Sequence, residues 1–304
     1  MSNLVQIILF LIFYKVYFTY FNKNTSIIIP SLTYKIPLIR PSKKSVTTHS
    51  RIPKIICTTY ATKSINILMK PHLVDLLKNN TEYKFLFFCD ETSRSYILQN
   101  LGPRALQAYD KLVPGAYKAD FFRYCFLYCS GGVYIDINKK LLVPLRDIID
   151  DNIDLFCCID INETLPFLDF ILGKKFRIFQ AFMAASPLHP LLGGCIERCI
   201  ENIENNYYGD CPLDPTGPRM IGRLFEKRYH SLKLCKPGVY QVGGESVKIC
   251  KLRIGGIGGP YIYDDRKKIC KIYPIPKKVM KELTYSDTKT PRYGELWYSR
   301  SIYK

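Results

Sequence analysis

Within residues 119–138, ADFFRYCFLYCSGGVYIDIN, four side chains have types and spacing suited to chemistry: Asp120, Arg123, Asp136 and Asn138. Asp120 and Arg123 are three apart, so on a helix they share one face. A carboxylate beside a guanidinium offers both an acceptor for hydroxyls and a positive charge for an anionic ligand. Asp136 and Asn138 form an Asp-x-Asn pair. An Asp-x-Asp in that place would present hard oxygens to Mg or Mn, which bridge a diphosphate. The amide oxygen of Asn138 can still ligate, but it brings no charge. Followed by Lys139 and Lys140, the same pair also reads as an ordinary turn.

The surrounding residues predict the elements that hold these groups. Phe122, Phe126 and Cys129 recur at helical spacing on a second face and read as core. Gly131 and Gly132 permit the positive φ that ends a helix. Val133, Ile135 and Ile137 are β-branched, as a buried strand prefers. Ligands of open α/β sheets gather outside the carboxyl ends of strands, and Asp136 falls there. Strands are predicted at 52–57, 84–89, 133–137 and 154–159, and helices at 72–79, 93–102 and 118–129. The alternation predicts an α/β domain with a mainly parallel central sheet. After residue 230 the pattern breaks up. Gly255, Gly256, Gly258 and Gly259 mark a loop with no following helix, which is weak ground for a phosphate loop.

The 304 residues are 47% hydrophobic, enough for one large domain with a substantial core. The formal net charge is +18, and the first 50 residues hold six Lys and Arg with no acid. Such a basic surface suits anionic partners such as nucleotide diphosphates, lipid head groups or acidic glycans. The cations are scattered and no nucleic-acid-binding signature is present, so no nucleic-acid partner is expected. Residues 4–21 form a largely apolar run interrupted by Lys15. Its length approaches a membrane span, and the run reads as a possible signal anchor; a cleaved signal is the alternative. The organisation expected is thus an anchor at 1–21, a polar stem or linker at 22–50, and a catalytic domain at 51–304. Positive charge follows the apolar run, which favours a cytosolic domain. The twelve cysteines include no C-x2-C pair, so structural zinc is not expected. They fit small buried residues, or disulfides if the compartment is oxidising.

The block 119–138 resembles the sugar-binding region of glycosyltransferases that carry an Asp-x-Asp motif, the family 32 group that includes fungal outer-chain alpha-mannosyltransferases. It is more distantly similar to the catalytic domain of the large clostridial glucosylating toxins. The family pattern, A-x-D-x-x-R-Y-x-x-L-Y-x-x-G-G-x-Y-x-D-x-D, is matched at Asp120, Arg123, Tyr124, Leu127, Tyr128, Gly131, Gly132, Tyr134 and Asp136, with a departure at Asn138. The segment IPKIICTT at 52–59 resembles the family's first strand, with Cys57 where His is usual. FQAFMAASPLHP at 179–190 resembles a later segment, with Gln180 in place of Asn. Thr216, Gly217 and Pro218 resemble a turn before a helix.

This resemblance implies a GT-A-like nucleotide-sugar-binding fold and a retaining glycosyltransferase. A nucleotide diphosphate sugar would be the donor, and a glycan, lipid or protein the acceptor. Asp120, Arg123 and Asp136 become the catalytic residues. Thr58, Thr59, Tyr134 and Trp297 join Asp120, Arg123, Asp136 and Asn138 around the donor, and Asp136 and Asn138 become the ligands of Mn or Mg. Golgi-type members of the family face the lumen, opposite to the topology that the charges favour, so either face is open. The departures at Asn138, Gln180 and Cys57 leave a non-catalytic sugar-nucleotide or glycan-binding relative as the alternative. Asp210 and Asp214 more simply start turns, but they are candidates for the missing carboxylate. His189 reads as structural, and no histidine follows His230.

Overall fold

A computed structural model describes residues 33–42, 50–160, 176–232, 236–253, 260–275, 279 and 291–304. The apolar run 4–21 and the glycine loop 254–259 lie outside the described residues. Among the described residues, no helix is long and apolar enough to cross a membrane.

The strands are β1 (Thr33–Lys35), β2 (Ile39–Arg40), β3 (Ile55–Thr59), β4 (Ser64–Asn66), β5 (Lys84–Phe88), β6 (Gly132–Ile135), β7 (Lys140–Leu141), β8 (Leu155–Ile159), β9 (Ile178–Ala185), β10 (Gly238–Val242), β11 (Glu245–Arg253), β12 (Tyr261–Asp264) and β13 (Lys267–Lys271). The α-helices are α1 (Lys70–Asn79), α2 (Asp90–Lys111), α3 (Gly115–Ser130), α4 (Pro190–Glu204), α5 (Pro218–Arg228) and α6 (Tyr293–Tyr298).

The centre of the main sheet has the order β5-β3-β6-β9-β8-β11. β3 runs parallel to β5 and β6, β8 runs parallel to β11, and β9 is antiparallel to both β6 and β8. Five of these six strands therefore point the same way, and β9 alone is reversed. This is the α/β fold with a mainly parallel central sheet that the alternation predicts. Apolar residues cover both sides of the buried strands, as a sheet sandwiched by helices requires: β8, LFCCI, is buried throughout.

Two strands enlarge the domain beyond its expected start. β1 pairs with β4, β2 pairs with β5, and Ile36 between them is 2% exposed. Residues 33–42 thus belong to the folded domain and not to a stem at 22–50. Sequence gave little warning, because these strands are only three and two residues long. The region after 230 is likewise structured: β10, β11, β12 and β13 form an antiparallel extension.

Helix α3 is the most enclosed helix next to the site, with Phe121, Phe122, Tyr124, Cys125, Phe126 and Leu127 all buried. It packs against α2 and α4. The expected helix at 93–102 is the first half of α2. The backbone leaves helical geometry at Gly102, with φ 79° and ψ −175°, and Pro103 opens the second half. At the end of α3, Gly131 and Gly132 have φ values of 65° and 100°. A β-carbon at Gly131 would lie 2.7 Å from Pro187, and one at Gly132 would lie 2.6 Å from the Ile55 carbonyl oxygen. Glycine is therefore required twice over, by conformation and by close approach. Together the pair swings the chain from α3 into β6, beside β3.

Candidate active site

The turn from α3 to β6 puts Asp120 and Arg123 beside Asp136, one residue past the carboxyl end of β6. All three line a cleft of about 1040 Å³. Arg123 Nη2 lies 3.2 Å from Asp120 Oδ1 and 3.6 Å from Asp136 Oδ1. Its Nε donates to the Ala119 carbonyl at 3.1 Å, and its guanidinium stacks over the Tyr134 ring at 4.5 Å. Burying a charge is costly unless it is paired and hydrogen-bonded; here four different contacts fix the guanidinium.

A second set of contacts comes from the strands. Tyr134 Oη donates to Asp136 Oδ1 at 3.0 Å and lies 2.9 Å from Thr59 Oγ1. The Asp136 backbone N–H donates to the Ala181 carbonyl on β9 at 2.9 Å. Asp120 accepts from Thr216 Oγ1 at 3.2 Å. The Thr216 carbonyl in turn accepts from Tyr124 Oη and from Gln180 Nε2, at 3.0 and 3.2 Å. Gln180 also bonds Tyr124 Oη. Gln180, where the family pattern has Asn, is thus part of the network beneath Asp120. Burial pushes Asp120 up to about 7; Arg123 opposes that rise and Asp136 adds to it.

Asn138 lines the same cleft, but its amide oxygen accepts from Lys139 Nζ. That ammonium is also 3.8 Å from Asp136 Oδ2, and Lys139 is 7% exposed. Burial pulls Lys139 down from its ordinary range, and Asp136 draws it back up. The donor set expected for Mn or Mg is therefore one carboxylate already facing two cations and one amide already engaged by an ammonium. Among the described residues, no group of three or more His, Cys, Asp or Glu is placed to hold a metal ion. Two like unit charges at ~4 Å repel by about 4 kcal/mol at an effective dielectric of 20, so a dication here meets strong opposition. The residues present do not fit the metal.

Of the remaining residues read from sequence, Thr59 and Tyr134 line the cleft. Thr58 does not: it is fully buried, on the opposite face of β3 from Thr59 by strand alternation. Trp297 is also outside the cleft lining. Its Nε1 donates to the Tyr208 carbonyl at 2.7 Å, and it packs against the core, while its helix neighbours Tyr293 and Tyr298 face the cleft. Asp214 cannot replace the missing carboxylate. It is fully buried, bonds Arg223 at 2.6 Å and Arg219 at 3.3 Å, and accepts from the backbone N–H groups of Asp210 and Cys211. Asp210 is exposed and lies 3.5 Å from Arg219. His189 is buried at the start of α4, with Nε2 3.4 Å from Tyr229 Oη, in a structural setting. Eleven cysteines are described, and all are free thiols.

Lys139 was the residue hardest to find from sequence, because a Lys after Asp-x-Asn reads as a solvated turn. Lys118 is a second. It is two residues before Asp120, lines the cleft, and lies 3.3 Å from Asp90.

The cleft thus lies at the carboxyl end of a parallel strand and is walled by a paired carboxylate and guanidinium. Comparison with known proteins places it further. Residues 70–154 match the family described as "Glycosyltransferase sugar-binding region containing DXD motif", the family that the sequence motifs indicate. The chain is 27% identical over 186 residues to the initiation-specific alpha-1,6-mannosyltransferase of Schizosaccharomyces pombe, covering 58% of this chain and 45% of that protein. It is 27% identical over 206 residues to inositol phosphoceramide mannosyltransferase 2 of the same organism, covering 66% and 54%. The chain thus spans about half the length of these curated relatives. The solved PaToxG glycosyltransferase overlaps 60% of this chain and 71% of its own, with a TM-score of 0.46 and 14% identity.

Proposed function

We propose that the protein is a retaining glycosyltransferase. It would move a hexose or related sugar from a nucleotide diphosphate sugar to a glycan, lipid or protein acceptor. The observation that carries this reading is the Asp120–Arg123–Asp136 cluster, set in the matched block and opening onto the cleft. Both of the Schizosaccharomyces pombe relatives above are named as mannosyltransferases, so a mannosyl donor is the first to test.

In this reading Asp120 accepts hydrogen bonds from sugar hydroxyls. Arg123 orients the sugar and draws on the charge of the diphosphate. Tyr134 and Thr59 border the nucleotide and hold Asp136 in place. No side chain is assigned as a nucleophile: the acceptor attacks from the face that the diphosphate leaves, which preserves the anomeric configuration. Mn or Mg, the ion typical of Asp-x-Asp sites, would supply positive charge to the leaving diphosphate. The donor set at Asp136 and Asn138 does not fit it, and no step is routed through it. Attachment to a membrane through residues 4–21 belongs to the same proposal, with the orientation of the domain open.

A second reading, sugar-nucleotide binding without transfer, is favoured by the engaged amide of Asn138. Incubation with a panel of nucleotide sugars and measurement of nucleotide release separates the two. Release above the rate without protein supports transfer or hydrolysis. Saturable binding without release supports the binder, and neither would refute both.

A further inference from the structure

Asn138 and Lys139 depart together from a metal-binding arrangement, and their geometry is mutually consistent. One carboxylate of an Asp-x-Asp pair is missing, and a buried ammonium lies between the two remaining oxygen ligands. Nζ of Lys139 donates to Asn138 Oδ1 and is 3.8 Å from Asp136 Oδ2. Arg123 approaches the other oxygen of Asp136 at 3.6 Å. The carboxylate is thus flanked by a cation on each side. Replacing a carboxylate with an amide lowers the negative charge by one, which suits a monovalent cation better than a divalent one. Lys139 is held almost entirely out of solvent, where a charged amine persists only with fixed partners. A lysine in a solvated turn would not be built in this way.

We propose that the ammonium of Lys139 takes the place of the divalent ion between Asp136 and Asn138, and that the site binds a nucleoside diphosphate without metal. The inference rests on the nucleotide-sugar reading above. Lys139 is not in the cleft wall, so it is a positioning residue. It neutralises Asp136 on the side away from Arg123 and keeps the Asn138 amide oriented. The guanidinium of Arg123 and the cleft's Lys118 are then left to meet the phosphates.

The test is calorimetric titration of the 304-residue chain with uridine diphosphate and guanosine diphosphate, in EDTA and in MnCl2. Wild type is expected to bind one of them in EDTA, with little change on adding Mn. Lys139→Met should weaken binding in EDTA by about tenfold or more, since a charged partner is lost from a desolvated pair. Lys139→Arg should largely preserve it. The double variant Asn138→Asp, Lys139→Thr should gain a Mn response of about tenfold, equivalent to ~1.4 kcal/mol. A merely structural lysine would not convert metal-independent into metal-dependent binding. Wild-type binding that appears only with Mn would overturn the inference while leaving the donor reading intact. So would unchanged EDTA affinity in a folded Lys139→Met variant. Absence of binding by either diphosphate in both conditions would refute the donor reading itself. Should Lys139→Met fail to fold, the wild-type comparison in EDTA and Mn decides alone.

Discussion

Substituting Asp120 by Asn probes a carboxyl group that the fold holds against its ordinary ionisation. Burial raises Asp120 from 3.8 to about 7, with Arg123 opposing and Asp136 reinforcing. The sign of the stability effect follows. The folded-state value exceeds the unfolded one, so between them the folded protein keeps a proton that the unfolded chain has released. Stability is greatest in acid and falls as pH rises toward 7, where the folded carboxyl also ionises. Each unit is worth about 1.4 kcal/mol. Integrated from pH 5 to pH 8, the wild type loses about 3 kcal/mol through this group at the ceiling, and ~1–3 kcal/mol once local hydration is allowed for.

An amide of the same shape does not titrate. The stability of Asp120→Asn relative to wild type should therefore grow by ~1–3 kcal/mol from pH 5 to pH 8, or roughly 5 °C in Tm for a domain of this size. Terms that do not depend on pH, including any imperfect fit of the amide beside Thr216, cancel in that difference. The other groups facing Asp120 are Arg123, Asp136, Tyr117, Tyr124, Tyr293 and Cys199. Burial pushes the four neutral ones upward, so they do not titrate in this window. Thermal unfolding of both proteins at pH 5 and pH 8 gives the comparison. An equal Tm gap at the two values would refute the argument that Asp120 is held near neutrality.

Four further outcomes are expected. Asp136→Ala should abolish nucleotide release while keeping a cooperative thermal transition, because the side chain faces the cleft and its backbone bond to Ala181 remains; wild-type turnover would remove it from the chemistry. Arg123→Ala should cost about 2–5 kcal/mol in transition-state stabilisation, measured as kcat/KM, with an unchanged value counting against the site. Gly132→Ala should destabilise by about 2 kcal/mol or more, from positive φ and the Ile55 carbonyl contact, and a neutral effect in urea unfolding would contradict that geometry. Truncation to begin at Thr33 should preserve the thermal transition of the domain, whereas truncation to begin at Arg51 should cost about 2 kcal/mol or more. The larger loss comes from two strands and buried Ile36.

The parts of the fold that could be read from sequence are those with dense local signals. The helix-to-strand turn has two glycines, an aromatic-rich buried helix before it and three β-branched residues after it, so α3, β6 and the place of Asp136 were all visible. The break in α2 at Gly102 and Pro103 was visible for the same reason. β9 was recognisable as a segment but not as reversed, because strand direction depends on partners distant in the chain. β1 and β2 were missed because such short strands gain their stability from β4 and β5 and carry no period of their own. Thr58 and Thr59 show the limit within a strand. The two are chemically equivalent, and only the pleat decides that Thr59 meets Tyr134 while Thr58 is buried on the other side. Trp297 failed as a cleft residue because its N–H is committed to the Tyr208 carbonyl, a contact 89 residues away.

The reversed strand explains why this site can depart from the family pattern without losing its shape. β9 supplies the Ala181 carbonyl that fixes the backbone of Asp136, and it supplies Gln180, which holds Tyr124 and Thr216 under Asp120. Asp120 is therefore placed by a hydrogen-bond network, and Asp136 by strand pairing and Tyr134. Neither position depends on a metal ligand at residue 138. A fully connected buried network rigidifies its members. With both carboxylates held by the protein, the second acid of an Asp-x-Asp pair has only the task of attracting a cation, and in the proposed arrangement the ammonium of Lys139 is that cation, so a neutral amide at residue 138 is enough.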